Sequence, residues 1–67
     1  MPEQNKVFEL WEKALNEQAN RLRFKDWDDY IVFCDSTKAK HKLMRNAYKG
    51  AAEIFEKLLF ENYRQNE

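Results

Sequence analysis

Residues 36–64 read STKAKHKLMRNAYKGAAEIFEKLLFENYR, and the periodicity of that stretch decides the fold. Leu43, Ala47, Ala51, Ile54 and Leu58 recur at three- and four-residue intervals, the spacing that puts side chains on one face of an α-helix. Met44, Tyr48, Phe55, Leu59 and Tyr63 widen that face to an apolar arc of about 200°. One neighbouring helix cannot cover so wide an arc. The spacing therefore predicts a helix from Ser36 to Arg64 that packs against two other helices, or against one helix and a second chain. Asp35 or Ser36 is the expected N-cap.

The opposite side of this helix carries a basic stripe. Lys38, Lys42, Arg45 and Lys49 fall within about 60° of one another at the helical period. Glu53, Glu56 and Glu61 follow them, so charge runs against the helix dipole, which favours anions first and cations last. A helix shaped for stability alone would reverse that order. The stripe is either a solvated face that balances Asp26, Asp28, Asp29 and Asp35 or a contact surface for an acidic or phosphate-bearing partner. Phe60 projects near the same stripe and away from the apolar arc, so it either anchors a partner or folds back on a neighbouring helix end. In the middle of the helix Gly50 either marks a close crossing or is tolerated at about 1 kcal/mol relative to Ala.

Two further helices are expected upstream. From Pro2 to Leu22, Phe8, Trp11, Leu15 and Leu22 share a face opposite Glu9, Glu12, Lys13, Asn16 and Asn20. Pro2 suits the first turn and Arg21 suits the last. A shorter helix is expected from Asp26 to Cys34. Asp26 is its N-cap, and Trp27, Tyr30, Ile31 and Cys34 fall at i, i+3, i+4 and i+7. The run Tyr30-Ile31-Val32-Phe33 is β-prone, but no second strand exists to pair with it. Phe24 leaves the apolar face and is placed in the intervening turn.

Composition agrees with helices and short connections. The 67 residues include one Gly and one Pro, little turn chemistry for a sheet. A single domain spanning residues 1–67 is expected, and a chain this short buries only about 60% of its unfolded surface. Aromatic residues, 15% of the total, supply the mass a small core needs. The fold expected is all-α: a three-helix bundle or a helical hairpin, with two long helices and a short middle one, as a monomer or a C2 dimer.

Lys plus Arg balance Asp plus Glu at twelve each, so no global field draws the chain to nucleic acid or an anionic membrane. Any electrostatic partner must be met by a local patch. Cys34 is the only cysteine, which excludes an internal disulfide and fits a reducing compartment. There is no apolar run near the eighteen or so residues of a membrane span, and no signal-peptide pattern. A soluble cytoplasmic protein without membrane contact is expected.

Catalytic chemistry finds little support. Cys34 and His41 are the only soft metal ligands, too few for a zinc site. They lack the Gly-rich oxyanion loop that a Cys–His nucleophile would need. Asp26, Asp28 and Asp29 lack the Gly and the further oxygen ligands of a calcium loop. No catalytic residue, metal or cofactor is expected. The leading expectation is a non-enzymatic protein–protein interaction module, a small regulator or inhibitor of a larger protein or a partner to its own copies. It would use Lys38, Lys42, Arg45, Lys49 and Phe60. The alternative is a small nucleic-acid-binding protein using the same stripe along a phosphate backbone.

Overall fold

A computed structural model describes residues 2–65, with side chains from Lys6 to Arg64. The described residues form three helices and no strand: α1 at Pro2–Arg21, α2 at Trp27–Asp35 and α3 at Lys40–Gln65. The molecule is elongated, 45 × 20 × 19 Å. Its length matches a 26-residue α3, about 40 Å at the helical rise. Its principal interface is α1 against α3, and α2 packs on both.

The core is narrow because small residues line it. Ala14 and Ala19 of α1 and Ala47 and Ala51 of α3 are fully or almost fully buried. Alanine lets helix backbones approach closely, and bulk then arrives from the flanks. Trp27, Tyr30 and Cys34 of α2 form one cluster with Ala19 and Ala47, against which Leu15, Phe24, Ile31, Leu43 and Met44 pack. Trp11 and Leu58 lie at the centres of their apolar arcs but are only half-buried. Phe8, expected on the buried face of α1, is exposed.

Gly50 lies under the side chain of Gln18. A methyl group there would come within 2.5–2.6 Å of the Gln18 side-chain amide. The obstacle is the mobile end of a long side chain, so α1 uses Gln18 to cover the notch that Gly50 leaves.

Hydrogen bonds fix where the helices stop. α1 ends in a Schellman motif: Phe24 N–H donates to Ala19 O at 2.9 Å and Arg23 N–H to Asn20 O at 2.9 Å. The geometry needs a left-handed residue, and Arg23 supplies it at φ 73°, a position that glycine normally fills. Asn20 Nδ2 then donates to the carbonyls of Phe24 and Lys25 at 2.9 and 2.8 Å. Asn16 Oδ1 accepts from Trp27 N–H at 2.9 Å. Two asparagines that the periodicity assigns to the solvent face of α1 thus clamp the turn into α2.

Asp26 caps α2 as expected, in extended backbone, accepting from Asp29 N–H at 2.9 Å. The next junction corrects the sequence reading. α3 begins at Lys40, four residues later than Ser36. The Ser36 and Thr37 hydroxyls close α2 instead, donating to Phe33 O at 2.7 Å and Cys34 O at 3.1 Å. Asp35 caps nothing; its carboxylate pairs with Lys40 Nζ at 2.7 Å and raises the pKa of that ammonium.

Candidate functional site

The late start of α3 reshapes the basic stripe. Lys38 lies in the turn before the helix, so Lys42, Arg45 and Lys49 form the helical part of the stripe. All four cations are exposed. None of them meets a carboxylate within ion-pairing distance among the described residues, where Lys40–Asp35 is the one such pair. The stripe points away from Ala47, Ala51 and Ile54, the buried line of α3, because about half a helical turn separates the two sets.

The same outer face continues past Lys49 through exposed Ala52, Glu53 and Glu56 to Phe60 and Tyr63. Basic side chains occupy its first half, carboxylates its middle and aromatic rings its last turns. Phe60 does not fold back onto a neighbouring helix; it is 71% exposed, and Tyr63 beside it is 70% exposed. Glu56, Leu59, Phe60, Tyr63 and Arg64 form one contiguous patch there, more apolar than polar.

The rest of the aromatic complement behaves differently. Phe33 and Phe24 pack on Tyr30, Tyr30 on Trp27, Trp27 on Tyr48, Tyr48 on Trp11 and Trp11 on Phe55, with ring centroids 5.0–6.5 Å apart. The Trp11–Phe55 and Phe24–Tyr30 contacts are edge-to-face, an arrangement ring quadrupoles favour. Phe8, Phe60 and Tyr63 stand outside this chain of rings, and each is more than 60% exposed.

Cys34 is fully buried in the core cluster while His41 lies exposed on α3, so the two do not share a site. Among the described residues no three His, Cys, Asp or Glu side chains gather as a metal would require. Among the described residues Tyr30 is the one strongly perturbed titratable group. Its hydroxyl donates to Leu43 O at 3.2 Å. Burial, and then the neighbouring Cys34, push its pKa from the ordinary 10.0 up to about 12. It is 4% exposed and serves the packing of α2 on α3. No described helix is long and apolar enough to cross a membrane.

Phe60 lies on the polar side of α3 as its position predicts, but Tyr63 is not part of the apolar arc: it is exposed beside Phe60. The signal was present: the two residues are three apart, the spacing of helix-surface neighbours. No protein-family model, no curated protein and no solved structure matches the chain.

Proposed function

We propose that the chain is a non-enzymatic protein–protein interaction module, a small regulator or inhibitor that meets a protein surface with the outer face of α3. The observation that carries this reading is the exposure of Phe60 and Tyr63. Adjacent exposed rings leave in water the surface that a partner's side chains could cover. Aromatic residues ringed by charge are typical of interface anchors. Glu56, Lys57, Glu61 and Arg64 supply that rim, and Lys42 and Arg45 extend the charged face toward the start of α3.

Chemical cross-linking of tagged protein in cell extract tests the reading, with the wild type set against a Phe60→Ala/Tyr63→Ala variant. The expected result is a cross-linked protein product that the variant loses while its helical circular dichroism is unchanged. Equal yield from both proteins would refute the use of this face.

One observation favours a second reading. The cations at Lys38, Lys42, Arg45 and Lys49 are exposed without carboxylate partners among the described residues, which suits a phosphate backbone. Against it, Lys42 to Lys49 spans only about 10 Å of helix axis, and Glu53 and Glu56 interrupt the face beyond. Binding to nucleic acid would show a steep fall in affinity with salt and would not depend on Phe60.

A further inference from the structure

The outer face of α3 has a symmetry that its charge order makes useful. Lys49 and Glu56 lie equally far on either side of the midpoint between Ala52 and Glu53. Arg45 and Phe60 are likewise equidistant from that point, and so are Lys42 and Tyr63. All of these residues are exposed and belong to one face of one uninterrupted helix. Turned end for end, the face superimposes its positions on themselves and exchanges cations for carboxylates and rings.

From this we infer that the face takes a second copy of the same chain, with the two α3 helices antiparallel and the two-fold axis passing between Ala52 and Glu53. The inference rests on the module reading above and names its partner. A two-fold interface must be self-complementary, with residue i meeting j and j meeting i. In this arrangement Lys49 faces Glu56 of the other copy twice over. Arg45 faces Phe60, where a guanidinium can lie on the ring and the arginine stem can cover its edge. Lys42 faces Tyr63 in the same way. The axis falls beside Ala52, whose small side chain lets the helices approach. The three- and four-residue spacing is that of a helix–helix seam.

The reversed charge order of α3 gains a reason here. Cations early and carboxylates late are unfavourable for an isolated helix. They are what an antiparallel copy requires. Intramolecular pairing does not consume these charges, since none of Lys42, Arg45 and Lys49 meets a carboxylate among the described residues. The contact set is one helix face, so the dimer belongs with weak, concentration-dependent associations.

Sedimentation equilibrium of the full chain at low salt, from micromolar to millimolar concentration, tests the proposal through a charge swap. Wild type is expected to dimerise reversibly. Lys49→Glu and Glu56→Lys should each weaken the dimer about tenfold, because each replaces two attractions with two repulsions. The double variant Lys49→Glu/Glu56→Lys should return to wild-type affinity, since the attractive pairs re-form in the opposite sense. Circular dichroism confirms that each variant remains helical. A monomer at every concentration overturns the proposal. So does a dimer that Lys49→Glu leaves unchanged, or a double variant as weak as either single one. A cross-linked heterologous product lost with Phe60→Ala/Tyr63→Ala would identify a different occupant: self-docking would fall and the module reading would stand. Loss of both results would remove both.

Discussion

The region around α2 and the last turns of α3 use similar residues to opposite ends. Around α2, Trp27, Tyr30 and Cys34 are buried against Ala19 and Ala47, and polar side chains tie down the backbone on both sides. Among the described residues every side-chain hydrogen bond falls between Asn16 and Leu43. In the last turns of α3, Leu58 and Leu59 are half-buried, Phe60 and Tyr63 are exposed, and no such bond fastens the helix. One end buries Trp27, Tyr30 and Cys34 and bonds its polar side chains within the chain, although Val32 and Phe33 stay exposed on its outer side. The other holds apolar groups in a regular helical array without covering them. A chain of this size can build one well-closed cluster, and a surface left open elsewhere is available for binding at little cost to that cluster.

The largest expected effect breaks the closed end. Trp27→Ala removes a buried ring that contacts Tyr30 and Tyr48 and should cost about 3–5 kcal/mol. Stabilities of small domains start at only about 5 kcal/mol, so urea or thermal unfolding should find the variant largely unfolded at room temperature. A melting temperature close to wild type would show that α2 is not where stability is concentrated.

Tyr30 gives the closed end a pH signature. Its pKa stands at the ordinary 10.0 when exposed and about 12 when folded, so folding favours the neutral phenol. The stabilisation is complete below pH 10 and is lost as pH rises through 10 toward 12, at up to about 1.4 kcal/mol per pH unit. Tyr30→Phe should cost about 1 kcal/mol at neutral pH, through the hydrogen bond lost to Leu43 O. It should also remove that share of the alkaline loss. Urea midpoints of both proteins at pH 8 and pH 11 isolate the effect from the other titrating groups. Parallel pH curves would place the Tyr30 hydroxyl in water.

Arg23 sharpens the comparison from the opposite direction. A left-handed conformation costs an L-residue about 1–2 kcal/mol, partly offset for glycine by the greater freedom of its unfolded chain. Arg23→Gly should therefore stabilise the protein by about 0.5–1 kcal/mol, seen as a rise of a few degrees in melting temperature. A fall would mean that the Arg23 side chain contributes more than its backbone costs.

The smallest effect belongs to the open end. Phe60→Ala should change stability by less than about 0.5 kcal/mol, as surface substitutions do. Set beside Trp27→Ala, it measures the contrast between the two regions directly. A loss comparable to that of Trp27→Ala would show Phe60 folded back on the protein in solution.

The helices were legible in the sequence because apolar spacing records them redundantly. Each turn of α1 and α3 repeats the same evidence, and Asp26 announced α2 through an ordinary cap. The boundary of α3 was not legible. Ser36 and Thr37 are as able to donate to the carbonyls that end one helix as to accept from the amides that start another, and only the chain path decides between these roles. Asn16 and Asn20 were illegible for a related reason. Their solvent-face positions hide the fact that the backbone of the next turn passes within hydrogen-bond reach. Phe8 shows the limit of periodicity itself, which reports the direction a side chain takes and not whether another element extends far enough to cover it. Tyr63 is a different case, since the helical period places it over Arg45 on the stripe face and not in the apolar arc. On the candidate surface, the positions of Lys42, Arg45, Lys49 and Phe60 could be read from the sequence. Their arrangement about a midpoint is also written there, but it gains meaning only once α3 is one continuous helix with that whole face exposed.

The burial of Cys34 makes the folded state a chemical shield. The chain has a single thiol, and the structure seals it completely inside the α2 cluster. A thiol reagent can reach that sulfur only when the helices separate. Where reclosing outruns the reaction, the labelling rate is the opening equilibrium multiplied by the intrinsic rate of a free thiol. The molecule thus carries a clock for the breathing of its own core, readable by mass without any engineered cysteine. The same shield divides the population under oxidising conditions. Folded copies have no accessible sulfur to join, so a disulfide-linked pair records two chains that were both open when they met.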